Sequence, residues 1–146
     1  MDEPSLTITP DGALVTALRF SSRIRLEIGG GASPPLELNL ERPFDLITGA
    51  EHRTVDMEQQ AGLQDLVRCS LHSEVRAIRM SPNGTIEVEM DRSTLRCEGG
   101  DDYEAWELVR GDRDQTYIGG IGRTLVIFDT PPTIISDPSG LPGMDL

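Results

Sequence analysis

Apolar and polar residues alternate along two stretches of this chain, and the two stretches match position for position. In the first stretch, residues 15–20 lead through a Ser-Ser-Arg turn into residues 24–28. In the second stretch, residues 75–80 lead through Pro-Asn-Gly into residues 86–90, with two extra turn residues. An alternation of period two is typical of a strand with one buried face. The pattern therefore predicts two similar antiparallel hairpins.

Each predicted hairpin is followed by a further run with the same alternation. Leu alternates with polar residues over 36–40 after the first hairpin, and Leu95 and Cys97 continue the pattern after the second. The Asn-Gly pair in the second turn is a strong hairpin signal, because both residue types tolerate the positive φ of a type I′ turn. The sequence thus predicts two three-stranded meanders as internal repeats, at about residues 13–40 and 74–98.

The period of the pattern changes after the first meander and its connection. Leu63, Leu66 and Val67 fall on one face of a helix, and Asp56 stands where a capping box would begin. This spacing predicts one helix over about residues 57–68, between the two repeats.

The remaining stretches give weaker patterns. Residues 1–12 predict a loose arm or a short edge strand, and residues 42–55 show a mixed pattern. The last strands are predicted over 103–109, which contain the only Trp, and in two short runs within 117–128, around a Gly-Gly pair. Residues 129–146 are rich in Pro and Gly, which is typical of a flexible tail.

Together these elements predict an α+β fold that is mostly antiparallel β. The two meander repeats would pack as a sandwich or a partly closed barrel, because a small sheet alone leaves its apolar face exposed. This packing would bury Leu18 and Phe20 of the first repeat against Ile78 and Met80 of the second. Residues 1–128 are predicted to form a single globular domain, a length that suits one hydrophobic core.

Composition narrows the range of partners. The net charge is −12 and all thirteen basic residues are Arg, so the field of the molecule repels nucleic acid. No apolar run approaches the roughly 18 residues of a membrane span, and the first residues do not form a signal peptide. With two Cys and no export signal, we expect a cytoplasmic protein with free thiols that binds neither nucleic acid nor a membrane.

One run in the later part of the chain has a distinctive order, Tyr-Glu-Ala-Trp-Glu-Leu at residues 103–108, followed by a Gly-Gly hairpin and a final strand. In this order the chain resembles an uncharacterised family of small proteins from high-GC Gram-positive bacteria, known only as a domain of unknown function. The resemblance covers roughly residues 60–128, although Asp-Arg-Ser at residues 91–93 stands where such proteins tend to have a Gly. It implies a small, mostly β fold and no assigned activity.

Four carboxylates lie close together in the turn that follows the second meander: Glu98, Asp101, Asp102 and Glu104. Oxygen ligands of this kind suit a hard cation, but the spacing is not that of an EF-hand loop. A charge run is most often a solvated surface. If the turn has a function, we expect it to bind the basic face of a protein partner.

Arg19 and Arg79 stand at the same position of the two predicted hairpins. In a cleft between the repeats they would converge on a small ligand, which makes them the candidate ligand-binding residues. The alternative is that each is an exposed strand residue in a cross-strand ion pair, a pairing that adjacent strands commonly make. The sequence leaves both interpretations open and favours the ion pairs.

Cysteine and histidine offer a further candidate constellation. The spacing of Cys69 and His72 suits zinc, but structural zinc sites usually need two close pairs, and His52 and Cys97 stand alone. Cys97 shares a strand face with Leu95, so we expect it in the core, as is usual for a free Cys. The sequence therefore predicts neither a metal nor a cofactor.

No set of nucleophile, base and orienting group can be assembled from the sequence, so an enzyme is not predicted. Trp106 shares its strand face with Leu108, and we expect both in the core rather than on a binding face. The best prediction is a non-enzymatic protein-binding or regulatory module with an acidic surface, for example one that neutralises a toxin. The alternative is a small-ligand or metal-binding protein that uses the cleft between the two β repeats. The oligomeric state is left open.

Overall fold

The computed structural model describes residues 6–32, 34–99, 105–110, 115–120, 124–128 and 133–136. Within these ranges the chain forms thirteen strands and one helix. In chain order the first elements are β1 (Leu6–Ile8), β2 (Leu14–Phe20), β3 (Ile24–Gly29), β4 (Leu36–Leu40), β5 (Phe44–Thr48), β6 (Glu51–Val55) and α1 (Gln60–Ser70). The later elements are β7 (Val75–Met80), β8 (Ile86–Met90), β9 (Thr94–Cys97), β10 (Trp106–Arg110), β11 (Gln115–Gly120), β12 (Thr124–Phe128) and β13 (Thr133–Ser136).

The thirteen strands are divided between two antiparallel sheets. The six-stranded sheet has the order β1-β7-β8-β9-β5-β6, and the seven-stranded sheet has the order β13-β12-β11-β10-β4-β3-β2. The prediction of a mostly antiparallel α+β fold is confirmed. A closed barrel is excluded, because each sheet keeps two end strands.

Each of the two sheets contains strands from both halves of the chain. We define the first half as β2 to β6, residues 14–55, and the second half as β7 to β11, residues 75–120. The meander β2-β3-β4 is extended by the hairpin β10-β11 of the second half, and the meander β7-β8-β9 is extended by the hairpin β5-β6 of the first. Each sheet therefore combines a meander from one half with a hairpin from the other.

The hairpin β5-β6 falls in the stretch where the sequence shows only a mixed pattern. Phe44 and Leu46 of β5 are buried, but four of the five residues of β6 are exposed. β6 ends the six-stranded sheet, where a strand has a neighbour on one side only. Its Glu-His-Arg-Thr run therefore carries almost no apolar pattern, and the sequence does not reveal the strand.

The outer hairpins of the two meanders pair in the same register. Val15 lies opposite Ile28 in the β2–β3 ladder, and Val75 lies opposite Met90 in the β7–β8 ladder. A β-bulge follows these pairs directly in both ladders. A bulge inserts one unpaired residue and increases the local twist, so both hairpins bend at the same point.

One core cluster contains buried side chains of both sheets and of the helix. Its fully buried members include Ile24, Leu26, Leu38, Leu40, Leu66, Ile78, Met80, Ile86, Val88, Leu95, Trp106 and Leu108. Burial of each large aliphatic side chain stabilises the fold by roughly 1.5–3 kcal/mol. Trp106 also links the sheets, because its Nε1 donates a hydrogen bond to the carbonyl oxygen of Gly84 at 2.7 Å. The predicted core positions of Trp106 and Leu108 are confirmed.

The helix α1 begins and ends later than the predicted range of 57–68. The predicted capping box does not form, because the Asp56 carboxylate accepts the backbone N–H of Glu58 at 3.0 Å. Gln59 is the N-cap and makes no side-chain capping bond. The bond to Asp56 closes a turn before the helix, so the first helical residue is Gln60.

Both ends of the described chain contribute strands. β1 pairs with β7 at the edge of the six-stranded sheet, which confirms the edge-strand alternative for the N-terminal arm. β13 pairs with β12, so residues 133–136 of the predicted tail belong to a sheet. Its Thr-Ile-Ile sequence favours a strand, although the Pro and Gly around it dominate the composition. Residues 129–132 and 137–146 lie outside the described ranges.

Candidate functional site

The seven-stranded sheet ends at β2, and this strand carries exposed apolar residues. Among the described large apolar residues, two are exposed, Leu14 at 39% and Phe20 at 42%. Both belong to β2. An end strand presents backbone groups with which a further strand can pair, and exposed apolar side chains mark sites of association. The outer edge of β2 is therefore the candidate functional site.

The start of β2 is already paired on its outer side. Leu14 forms an isolated antiparallel bridge with Glu74, and the backbone N–H of Val15 donates to the carbonyl oxygen of Ser73 at 3.0 Å. In the described part of the chain, no strand lies beside residues 17–20 on the side away from β3. We call residues 17–20 the open edge.

The open edge begins after the bulge and carries an ion pair on its polar face. Thr16 lies in the bulge, and its Oγ1 donates to the carbonyl oxygen of Glu27 at 3.1 Å. Arg19 donates from Nε to the Glu27 carboxylate. This hydrogen bond and the negative charge of Glu27 raise the pKa of Arg19 above its ordinary value. The Glu27 carboxylate holds the guanidinium against β3.

A row of polar side chains continues from Arg19 across the sheet. Arg25 lies directly opposite Arg19, so two positive charges are neighbours. The Nε of Arg25 donates to Oδ1 of Asn39 at 3.2 Å and lies 3.4 Å from the Glu37 carboxylate. Asn39 is fully buried, and its amide also donates to Glu107 at 3.2 Å. Cross-strand hydrogen bonds fix this row, with Arg19 at its outer end.

The matching strand of the six-stranded sheet, β7, is covered by β1. Met80 has in the β7–β8 ladder the position that Phe20 has in the β2–β3 ladder, and Leu6 of β1 lies opposite Met80. Met80 is 0% exposed, whereas Phe20 is 42% exposed. The expectation that Phe20 is buried in the core is therefore wrong, because no described strand covers β2 as β1 covers β7.

The predicted ligand-binding arginines lie on separate sheets. The guanidinium of Arg79 lies 2.9 Å from the Glu89 carboxylate and 3.9 Å from that of Glu87, and Arg19 pairs with Glu27. Each Arg thus forms a cross-strand ion pair, which is the interpretation that the sequence favours over ligand binding. Their role in ligand binding stays a prediction.

The predicted acidic turn is described only at its start. Glu98 is exposed, and the carbonyl oxygen of Gly99 accepts a hydrogen bond from Nη1 of Arg42 at 3.2 Å. The partner-binding role of the turn stays a prediction. The other three carboxylates lie outside the described residues: Asp101, Asp102 and Glu104.

Cys97 lies in the core, as its strand position predicts. Its side chain is fully buried, and burial raises the pKa of its thiol to about 12. A thiol with this pKa stays protonated at neutral pH, so it is a poor nucleophile and a poor metal ligand there. Cys69, near the end of α1, is partly buried. Within the described ranges, no three His, Cys, Asp or Glu side chains form a group that could hold a metal ion.

Two surface hollows lie near β2. One, of about 480 Å³, lies where residues 9–12 meet residues 74–76. The other, of about 310 Å³, is lined by Thr16 together with residues of β3 and β4. Neither of these two hollows is lined by Arg19 or Arg79.

One family model matches most of the chain. A family of unknown function, DUF6188, matches residues 7–120. The chain belongs to this family. The matched range runs from the second residue of β1 to the end of β11, so the DUF6188 domain includes both halves and most of the strand that covers β7. No curated protein and no solved structure matches the chain.

The DUF6188 match changes the range of the predicted resemblance. The sequence indicates a resemblance over roughly residues 60–128, whereas the family match begins in β1 and ends with β11. Membership of an uncharacterised family is therefore confirmed, and the predicted range starts too late. The bacterial group, and the Tyr-Glu-Ala-Trp-Glu-Leu run as a signature of the family, stay predictions.

Proposed function

We propose that this DUF6188 protein is a non-enzymatic, protein-binding module whose partner docks on the outer edge of β2. The observation that carries the proposal is the pair of exposed apolar side chains, Leu14 and Phe20, on the end strand of a sheet. Burial of the exposed part of Phe20 against a partner would contribute on the order of 1 kcal/mol. The backbone of the open edge would add main-chain hydrogen bonds, as in other cases of strand addition.

The module is further proposed to act in the cytoplasm on a partner with a positive net charge. The net charge of −12 supports such a partner, since opposite charges speed the encounter of two proteins. The acidic turn at residues 98–104 would contribute to this attraction, and a toxin with a basic active site is one partner of this kind. No helix among the described residues is long and apolar enough to cross a membrane.

The two halves are also proposed to be copies of one unit, packed as a two-repeat sandwich. The shared register and the shared position of the bulge support this duplication. Contacts where the two halves begin support it as well, because they are reciprocal: the first strand of each half bonds to a residue just before the other half. The N–H of Val15 donates to the carbonyl oxygen of Ser73, and the N–H of Val75 donates to that of Ala13.

Site-specific photo-cross-linking in the host cell tests the proposed binding site. A photoreactive amino acid replaces Phe20 in one variant and Glu51 in a control variant. Glu51 is exposed on β6, the end strand of the other sheet. We expect a partner protein to be cross-linked through position 20 and not through position 51.

The cross-linked protein is then purified and its affinity for the chain is measured. We expect Phe20→Gln to weaken binding about tenfold, which corresponds to a loss of roughly 1.4 kcal/mol. Glu51→Gln should leave the affinity unchanged. Equal affinities of the wild-type and Phe20→Gln proteins, or equal cross-linking through both positions, would exclude the β2 edge as the binding site.

A further inference from the structure

We infer that the partner contributes an extended strand with two apolar residues flanking one acidic residue, and that this strand pairs antiparallel with residues 18–20 of β2. This inference rests on the proposed protein-binding function and specifies the chemistry of the partner. Three features support it: the strand that already covers β7, the exposure of the matching residues of β2, and the charge opposite Arg19.

The molecule already contains one example of such pairing, because β1 is added to the outer edge of β7. β1 consists of the three residues Leu6–Ile8, which lie antiparallel to Ile78, Arg79 and Met80. The two apolar residues of β1 pack against the core, because alternate side chains of a strand point to the same face. A strand of the same length and apolar–polar–apolar order fits the matching edge of β2.

The residues of β2 that match the covered residues of β7 are left exposed. Leu18 matches Ile78 and Phe20 matches Met80, since each has the same place in its ladder. Ile78 and Met80 are fully buried, whereas Leu18 is partly buried and Phe20 is exposed. Apolar residues opposite Leu18 and Phe20 would provide the cover that β1 provides in the other sheet.

The middle residue of each edge is an Arg, Arg79 in residues 78–80 and Arg19 in residues 18–20, but the charge of the residue opposite it differs. Arg79 lies between Glu87 on β8 and Thr7 on β1 and pairs with the carboxylates of Glu87 and Glu89. Arg19 pairs with Glu27 but lies directly opposite Arg25. Like charges directly opposite each other are destabilising, and opposite charges stabilise a sheet by roughly 0.2–1 kcal/mol. In the docked strand, a carboxylate at the position equivalent to Thr7 of β1 would lie opposite Arg19. It would offset the positive charge of Arg25, which lies on the other side of Arg19. We therefore assign an acidic residue to the middle of the docked strand.

The same features disfavour a second copy of the chain as the occupant of this edge. Symmetric antiparallel pairing of two β2 strands over residues 18–20 would place Arg19 opposite Arg19. The bridge between Leu14 and Glu74 also limits the length of edge that a second sheet can approach. A short strand from another protein avoids both conflicts.

Peptide titration of the full ¹⁵N-labelled chain, followed by NMR, tests the inference. The probe is the acetylated and amidated peptide Ser-Leu-Asp-Ile-Thr, which is the sequence of residues 5–9 with Thr7→Asp. One control peptide has Lys in place of Asp, and another has Gln in place of both Leu and Ile. We expect the Asp peptide to shift the amide signals of residues 17–20 and to bind about two- to fivefold more tightly than the Lys peptide. The Gln peptide should cause no shifts.

Matched variants locate the site of binding. Phe20→Gln changes the exposed side chain of the open edge, and Glu51→Gln changes an exposed side chain on β6, the end strand of the other sheet. We expect Phe20→Gln to abolish the shifts and Glu51→Gln to preserve them. Arg19→Gln should remove the preference for Asp over Lys, which is a readout that a purely structural role of Arg19 would not change.

Three results would overturn the inference: no shifts at about 10 mM Asp peptide, shifts outside β2 and β3, or equal binding of the Asp and Lys peptides. Signals of residues 17–20 that move when the chain alone is diluted would identify a second copy as the occupant, which also overturns it. If any of the three peptide results is found but a partner is cross-linked through position 20, the proposed function still stands. Only the inference that the partner docks an acidic strand is then rejected.

Discussion

The hairpins β2-β3 and β7-β8 share a register and a bulge, yet one is covered and the other is open. The outer strand β7 is covered by β1 and its apolar residues are buried. The outer strand β2 ends its sheet and exposes Leu14 and Phe20. The same local pattern therefore gives a core strand in one sheet and an edge in the other. The difference comes from the neighbouring strand, which the local pattern does not specify.

The largest effect is expected when the two matching outer residues are truncated. Met80→Ala removes a fully buried side chain and should lower the free energy of unfolding by about 2–5 kcal/mol, because it leaves a cavity. Phe20→Ala should cost less, roughly 1–2 kcal/mol, since Phe20 is already 42% exposed and loses fewer buried contacts. Urea unfolding followed by circular dichroism measures both values. Equal costs would mean that β2 is covered in solution as β7 is.

The third strands of the two meanders differ in a residue that titrates. Cys97 lies opposite Ile86 at the position that Leu40 has opposite Ile24. Burial raises the pKa of Cys97 to about 12, whereas the thiol of the unfolded chain ionises near about 8.5. Above that pH the unfolded chain releases a proton that the folded chain retains. The free energy of unfolding should therefore fall by up to about 1.4 kcal/mol per pH unit until the folded thiol titrates.

Urea unfolding at about pH 7.5, 9 and 10.5 measures this dependence. Other groups also titrate in this range, so the wild-type chain is compared with Cys97→Ala, which lacks the thiol. The variant is expected to lose less stability than the wild-type chain as the pH rises. Identical slopes for the two proteins would contradict the raised pKa of Cys97.

A smaller effect is expected where the hairpins of the two halves begin. Trp106 begins β10 and Phe44 begins β5, and both are buried. Trp106→Phe makes the second half resemble the first, but it removes the hydrogen bond to the carbonyl oxygen of Gly84. Loss of the partner of a buried carbonyl should cost about 1–3 kcal/mol in urea unfolding. An unchanged unfolding midpoint would show that the bond between the sheets contributes little.

The smallest effect is expected from the connections that follow the third strands. The first half connects β4 to β5 through Glu-Arg-Pro, whereas the second half has the longer acidic stretch 98–105. Changing both Asp101 and Asp102 to Asn should slow association with the cross-linked partner about two- to threefold at low salt, because steering by exposed charge is screened by salt. Surface plasmon resonance at low and high salt measures the rates. An unchanged rate at low salt would remove the turn from the binding process.

The apolar pattern predicts the six meander strands because each of them has a face in the core. It does not predict β6, whose residues are mostly exposed, and it starts the helix early because the turn at Asp56 precedes Gln60. The pairing of β4 with β10 is also not predictable, since it joins residues far apart in sequence. Local periodicity thus identifies strands that are half buried, and it does not give their neighbours.

The candidate site was not predictable for the same reason. Phe20 continues the apolar alternation of β2, so the sequence assigns it to the core, and its exposure depends on the absence of a described strand beyond β2. Arg19 and Arg79 are candidates by position and charge. Charge alone does not distinguish an ion pair from a binding residue, and both form ion pairs.

The exchange of hairpins between the halves has a consequence for protein synthesis. β4 pairs with β10 in the middle of the seven-stranded sheet, so one side of β4 stays open until residue 110 has left the ribosome. At about 5–20 residues per second, that interval lasts several seconds. Until residue 97 has emerged, the nascent chain holds two incomplete sheets, because the meander β7-β8-β9 and the hairpin β10-β11 are both still missing. The two halves therefore complete their folding together, late in translation, and not one after the other.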